Sequence, residues 1–268
     1  MGIAAILCGV YAGSLMAGMM QAETVGLVEV FSSIQGEGLF VGCRQVFVRL
    51  AGCNISCQYC DTQESFVAPA LARVETNPGR RTFIDVANPL PIADLVGYVA
   101  DLCRAPHHSI SVTGGEPLLY PQVIKALAPL RNKAGVKLYL ETNGTLPLAL
   151  QSVINVLDIV SLDFKLPSIM GGKEYWQEHA AFLRVAAAKT AFIKVVISAE
   201  TTQAEIDQAI ELIASVDAQV PLIFQPVTAV NGVRSVDPAK ALLWQEQALR
   251  HLQDVRVIPQ THKIMGQL

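Results

Sequence analysis

Charge is scarce in this sequence. Only 16% of the 268 residues are Asp, Glu, Lys or Arg, and 20 basic residues nearly balance 23 acidic ones, for a net charge of −3. No long basic run occurs, which argues against nucleic acid as a main partner. No internal repeat and no convincing linker is present, so residues 23–268 are expected to form one catalytic-sized α/β domain. Charge is missing altogether from the first 22 residues, Glu23 being the first ionised side chain. The opening "MGIAAILCGVYAGSLMAGMM" therefore lacks the positive n-region of a secretory signal. Three readings of this extension stay open: a start-site extension with translation beginning at Met16, Met19 or Met20, a packed helix, or a membrane anchor of sufficient length. The methionines favour the first, and the glycine and alanine content weakens the third.

Cysteine is scarce as well. There are six, Cys8, Cys43, Cys53, Cys57, Cys60 and Cys103, and they are clustered rather than spread, which favours reduced, metal-binding thiolates in a cytoplasmic protein over a disulfide framework. Half of the residues are hydrophobic, enough for a well-buried core. From residue 27 strand-like and helix-like runs alternate. Strands are expected at 27–32, 45–52, 109–113, 136–141, 157–163, 191–197, 221–225 and 254–258. Helices are expected at 92–104, 121–132, 147–155, 174–188, 203–216 and 238–252. Thr202 with Glu205 forms a capping box, and Asp237 with Pro238 an N-cap followed by a first-turn proline. Residues 67–91, with four prolines, read as an irregular surface insertion. Repeated βα units with nearly continuous apolar strands predict a mostly parallel sheet, open or curved into a partial barrel. In such folds chemistry collects where the strands end. Here those ends read RLAGCN, VTGGEP, ETNG, LDFK, FQPV and VIPQTHK, each polar or glycine-bearing.

Three cysteines at C-x3-C-x2-C spacing on one loop can share a metal centre. A structural zinc site asks for four ligands, and no fourth stands nearby: Cys43 precedes the strand and Cys103 falls on a helix. An open coordination corner suits a catalytic iron–sulfur cluster. With Tyr59 before the last cysteine and TGGEPLL at 113–119, the pattern resembles the radical S-adenosylmethionine (SAM) superfamily. Within it, SIQGEG, FVRLAGCN, CDT, ETNG, SLDFK, FQPV and QTHK in that order resemble the 7-carboxy-7-deazaguanine synthase family, over residues 27 to about 264.

That resemblance implies a partial (β/α) barrel of radical SAM type. It implies a [4Fe–4S] cluster on Cys53, Cys57 and Cys60, whose free iron chelates SAM. One-electron cleavage of SAM would then yield methionine and a 5′-deoxyadenosyl radical. The substrate would be 6-carboxy-5,6,7,8-tetrahydropterin and the product 7-carboxy-7-deazaguanine, formed by ring contraction with loss of ammonia in queuosine or other 7-deazapurine biosynthesis. SAM would be used catalytically. Gly114, Gly115 and Glu116 would meet SAM, the glycines by backbone approach and Glu116 at its amino group. Ser161, Asp163 and Lys165 would lie against its ribose and carboxylate, and Gln225 against the adenosyl moiety. Ile34 (by its backbone), Gln35, Gly36, Glu37, Thr113 and His262 would contact the pterin, and Arg49 its carboxylate. Thr62 would bind Mg²⁺. A flavodoxin or ferredoxin as electron donor and a homodimer complete the implied picture.

Read without the resemblance, several of these residues have plainer roles. QGEG is a tight turn, GG an ordinary βα turn, the Ser161–Lys165 segment a solvated strand end, and Arg49 an outward-facing residue. Yet Arg49 is a lone charge in an apolar strand, costly against a covered sheet unless paired, and its planar fork suits a carboxylate. Glu141 and Asn143 are weaker site candidates. His107, His108, His179 and His251 are expected to be structural or exposed. A glycyl-radical-enzyme activase of the same superfamily and a non-catalytic iron–sulfur or zinc module are the alternatives. SIQGEG and QTHK argue against the first, the missing fourth ligand against the second.

Overall fold

The computed structural model describes residues 23–268 except 59, 61, 230 and 231. The N-terminal extension with Cys8, and the aromatic Tyr59, lie outside the described residues. In chain order the elements are β1 (Thr24–Val25), β2 (Leu27–Ile34), β3 (Arg44–Leu50), β4 (Leu71–Asn77), β5 (Thr82–Ala87), β6 (Leu90–Pro91), α1 (Ile92–Leu102), β7 (Ser109–Gly114), α2 (Pro121–Leu127), α3 (Leu130–Ala134), β8 (Lys137–Thr142) and α4 (Pro147–Val153). They continue as β9 (Ile159–Phe164), α5 (Trp176–Ala186), β10 (Thr190–Ile197), α6 (Gln203–Val216), β11 (Leu222–Pro226), α7 (Pro238–Leu249), β12 (Val255–Val257) and α8 (Thr261–Ile264).

Ten strands form one sheet in the order β12-β11-β10-β9-β8-β7-β3-β2-β4-β5. From β12 to β3 every neighbour is parallel, and β2 pairs antiparallel with β3. The sheet has two free ends, so this is a partial β/α barrel rather than a closed one. Successive helices pack on each other along its outer face. The alternation of side chains along a strand divides the work. Val48, Val112, Leu140, Leu162, Val195 and Phe224 point into the large core under the helices. On the inner face Tyr139, Ile159, Phe192 and Ile223 form an apolar floor, plugged by Leu39, Phe40 and Ile258. Two residues further along those four strands stand Glu141, Ser161, Lys194 and Gln225, so the layer above the floor is polar.

The cap signals are realised. Thr202 and Glu205 form the capping box of α6, and the Asp237 carboxylate accepts from the Ala239 and Lys240 N–H groups ahead of α7. One expected helix is two: α2 ends at Leu127 and α3 begins at Leu130, because Pro129 has no N–H to continue the ladder. The segment 67–91 is a correction. It is not irregular: β4 and β5 form an antiparallel hairpin, and β4 adds to the sheet parallel to β2. Its prolines lie outside the two long strands, so they do not interrupt the ladder. Among the described residues, no helix is long and apolar enough to cross a membrane.

Asn88, after the hairpin, pins it to the sheet. Its amide accepts from Leu27 N–H (3.1 Å) and donates to the Leu27 and Pro69 carbonyls (2.7 and 2.8 Å). Asn88→Ala would leave buried Leu27 backbone groups unsatisfied. The expected loss is about 2–3 kcal/mol, read as a lower urea midpoint at unchanged slope.

Candidate active site

The polar layer opens into a cavity of about 480 Å³ at the C-terminal ends of the parallel strands, within the range of small-molecule sites. Cys53, Cys57, Cys60, Thr62, Ile34, Gln35, Gly36, Glu37, Arg49, Thr113, Gly114, Gly115, Ser161, Asp163, Lys165, Gln225 and His262 all line it. The fold therefore gathers in one place every expected site residue except Glu116.

Glu116 is the exception. It is wholly buried and does not line the cavity. One carboxylate oxygen accepts from Leu118 N–H (3.0 Å) and the Thr142 hydroxyl (2.8 Å), the other from Asn143 N–H (2.9 Å). Burial pushes its pKa up, and those three donors pull against it. The carboxylate is turned under the cavity, where it ties the loop after β7 to the loop after β8. The glycine pair has a further reason as well. A Cβ on Gly114 would collide with the Leu50 backbone, and one on Gly115 with the Gly52 carbonyl. Gly115 N–H bonds to the Leu50 carbonyl (3.1 Å) and Glu116 N–H to that of Gly52 (2.8 Å). The pair lets this turn lie directly against the start of the cysteine loop.

Asn54, inside that loop, donates to the Thr145 hydroxyl (2.8 Å) and accepts from the Asn143 amide (2.9 Å). The loop is thus held by two neighbouring strand ends. Ile55, Met170 and Tyr175 form an apolar shell against Cys53 and Cys57. Burial pushes both thiols up, with the Ile55 N–H opposing it most at Cys53 and Lys165 most at Cys57. Among the described residues no three Cys, His, Asp or Glu side chains converge on a single ion. A cluster needs no such convergence, because each thiolate takes its own iron. Cys43 stands at the opposite end of β3, and Cys103 is buried at the end of α1 with its thiol pushed up to about 11 by burial. Neither lines the cavity.

Glu141, a minor candidate in the sequence, is central here. Its Oε1 accepts from the Gln35 amide (2.8 Å) and Ser111 hydroxyl (2.9 Å), its Oε2 from the Thr113 hydroxyl (2.9 Å). Gln35 is committed further: its amide also donates to Gln45 (3.0 Å), and its oxygen accepts from Glu37 N–H (3.0 Å). Lys194 was missed. It bridges Glu37 and Asp163, and Asp163 also pairs with Lys165 (2.8 Å). Burial opposes the Lys194 charge, but Asp163 and Glu37 outweigh it and hold its pKa well above the ordinary value. Burial likewise opposes ionisation of Asp163, and the two lysines win, holding its pKa down. Lys194 carries the same sequence signal as Arg49, a lone charge in an apolar strand ("FIKVVI"). Arg49 is not lone in the fold: its Nε donates to Glu29 Oε1 at 3.1 Å. Two cavity-lining acceptors, Asp163 Oδ1 and Gln225 Oε1, are buried without a partner among the described residues. Unmet buried acceptors of this kind fit a bound group rich in N–H and O–H donors, as SAM is. The donor set as a whole fits a cluster with SAM beside it.

The tail closes the cavity's open side. Thr261 bonds through its N–H (2.9 Å) and hydroxyl (3.1 Å) to the Gly36 carbonyl, and the Gln260 amide donates to Glu37 (2.7 Å). Behind the loop after β8, His179 is buried and stacks on Phe164 with ring centres 4.5 Å apart. His107 and His108 are half-buried and His251 is exposed; none of the four lines the cavity.

Residues 48–213 match the model of the radical SAM superfamily. A 7-carboxy-7-deazaguanine synthase of Geobacter sulfurreducens is 46% identical over 245 residues, 90% of this chain and 97% of that protein. A synthase of the same name from Methanothermobacter thermautotrophicus is 34% identical over 259 residues, 90% and 96% of the two chains. Among solved structures, QueE from Escherichia coli superposes with a TM-score of 0.57 at 21% identity, over 88% of this chain and 94% of that one, a likeness of fold.

His179 Nε2 sits 3.2 Å from the Asn143 carbonyl while Nδ1 has no partner among the described residues, and burial lowers its pKa to about 4. As pH falls from about 6.5 to 4, the unfolded chain takes up a proton that the folded chain refuses. Stability of the protein without cluster is expected to drop over that window by on the order of 3 kcal/mol. In His179→Gln this component should vanish, as read by urea midpoints at successive pH values.

Proposed function

The chain belongs to the 7-carboxy-7-deazaguanine synthase family of the radical SAM superfamily, and we propose that it converts 6-carboxy-5,6,7,8-tetrahydropterin to 7-carboxy-7-deazaguanine with release of ammonia. Enzymes of this family use SAM and a [4Fe–4S] cluster. In this chain Cys53, Cys57 and Cys60 would hold the cluster, inside the apolar shell that limits access of water. The chemistry supplied by the bound pair is one-electron cleavage of SAM, giving the carbon radical that starts the ring contraction.

The chain's own residues place the two reactants. Asp163 Oδ1 and Gln225 Oε1 offer their unmet acceptor positions to SAM, Lys165 and Ser161 flank it, and Gly114 and Gly115 present backbone rather than side chain. Glu116 acts from beneath by shaping the two loops. On the pterin side Glu141 has three of roughly four acceptor positions filled, leaving one on Oε2 for a ring N–H. Gln35 holds Glu141 and the turn at Glu37 in place, and Ile34, Gly36, Thr113 and His262 complete the wall. The observation that carries the reading is Arg49. Its Nε is taken by Glu29, and among the described residues its two terminal nitrogens have no partner. That edge can grip a carboxylate in two parallel bonds.

Thr62 would offer its hydroxyl to Mg²⁺. It lines the cavity 3.9 Å from the Cys60 sulfur, and hydroxyl, substrate oxygens and water suit that ion. A flavodoxin or ferredoxin as donor, a homodimer and a cytoplasmic setting belong to the same proposal and rest on the family, the last also on thiolates that must stay reduced.

The protein, reconstituted and reduced without oxygen, is expected to turn 6-carboxytetrahydropterin into 7-carboxy-7-deazaguanine with SAM and Mg²⁺, as read by mass spectrometry. Cys57→Ala should abolish it. SAM cleavage with an unchanged pterin would keep the superfamily chemistry and overturn the substrate.

A further inference from the structure

We propose that Glu29 is a positioning residue for substrate selection: it fixes the Arg49 guanidinium so that its terminal nitrogens face a carboxylate in the cavity, and Arg73 steadies Glu29 from behind. This deepens the reading of Arg49 given above and rests on it. Glu29 does not line the cavity, so it acts only through Arg49.

The sheet register builds the arrangement. Glu29 on β2 stands directly opposite Arg49 on β3 and beside Arg73 on β4. Arg49 in turn lies beside Thr113 on β7, whose hydroxyl bonds to Glu141. One transverse row therefore runs from the exposed hairpin into the cavity. Glu29 Oε1 takes Arg49 Nε at 3.1 Å, and Oε2 lies 3.8 Å from Arg73. Glu29 and Arg49 are largely buried, with side chains 15% and 17% exposed, whereas Arg73 is 52% exposed. Arg73 rests on the Phe83 ring, 4.2 Å from its centre. The Arg49 guanidinium stands 5.9 Å from the centre of Phe31, which stacks on Phe47.

Glu29 meets only the Nε edge of Arg49, and the positive terminal edge is left bordering the cavity. A carboxylate entering there balances it. The Nε bond also removes a freedom. An arginine with nothing on Nε could offer that edge to the ligand or swing away, whereas here only the terminal pair remains, pointed by a rigid strand pair. Selection for a carboxylated over an uncharged pterin then depends on the reach of Glu29 more than on its charge.

The two conservative variants separate reach from charge. Glu29→Asp keeps the charge and withdraws it by one methylene, about 1.5 Å. Glu29→Gln keeps the length and an oxygen that accepts Nε–H. The measurement is the dissociation constant of 6-carboxypterin and of its 6-carboxamide, both unreactive, on the protein loaded with cluster and SAM. In Glu29→Asp the preference for the carboxylate is expected to fall about tenfold, and in Glu29→Gln by less than about threefold. Arg73→Met, at an exposed position that tolerates substitution, should lower it about threefold by releasing Oε2. Glu29→Gln falling as far as Glu29→Asp would replace position by charge and overturn the proposal. So would a preference unchanged in Glu29→Asp and Arg73→Met. Arg49→Met tells the two levels apart. If it keeps the wild-type preference, the carboxylate reading of Arg49 fails. If it loses the preference while the Glu29 and Arg73 variants keep it, only the positioning role fails.

Discussion

Parallel strands that end on one rim push polar side chains into a half-buried layer, and each charge there has to be met where it stands. The rest of the cavity follows from that constraint. Lys194 is held by Glu37 and Asp163, Asp163 by two lysines, Arg49 by Glu29, and Glu141 by three uncharged donors. All of these but Asp163–Lys165 join different elements, so charge balance also fixes the geometry of the cavity wall. What the network leaves over is informative: two terminal nitrogens on Arg49, one acceptor each on Asp163 and Gln225, and one position on Glu141. At a cavity wall, such remainders outline the groups a ligand brings.

Beneath that layer a second set of bonds works on the backbone. Glu116 holds Thr142 and Asn143, Asn143 holds Asn54, and Asn54 lies between the first two cysteines. The described residues of the cysteine loop show no regular structure apart from a short turn. Its position is borrowed from β7 and β8 through this chain of amides and through the turn at Gly114–Gly115. A loop carrying three metal ligands gains from being placed beforehand, since ordering it at the moment of binding would cost conformational entropy.

The sequence was legible where local chemistry decides. Apolar runs, caps and the glycine-bearing strand ends located every strand of the parallel run from β12 to β3 and most helices, because burial under helices leaves a one-dimensional pattern. Residues 67–91 mislead because their prolines break up the pattern while falling outside both long strands. Site residues carried by motifs were found together, but their internal partners were not. Nothing along the chain tells that Glu29 meets Arg49, or Glu37 meets Lys194, since cross-strand register is a property of the folded sheet. Glu116 shows the converse. Its motif was found, but a side chain's direction at a strand end depends on the turn that follows, and here the turn folds the carboxylate under the cavity. Lone charges in apolar strands (Glu29, Arg49 and Lys194) are the signal that would have recovered most of the rest.

An open sheet raises a last question, that of how a partial barrel keeps solvent from a radical-bearing cavity. At the bottom the answer is Leu39 and Phe40, which the turn after Glu37 drives into the floor of Tyr139, Ile159, Phe192 and Ile223. Along the side the answer is the tail. Thr261 and Gln260 bond to Gly36 and Glu37, and a side chain on Gly36 would collide with His262. The glycine of QGEG therefore does more than turn the chain: it makes room for the histidine of QTHK, 226 positions away. Those two motifs were read separately along the sequence, yet neither could form its wall of the cavity without the other.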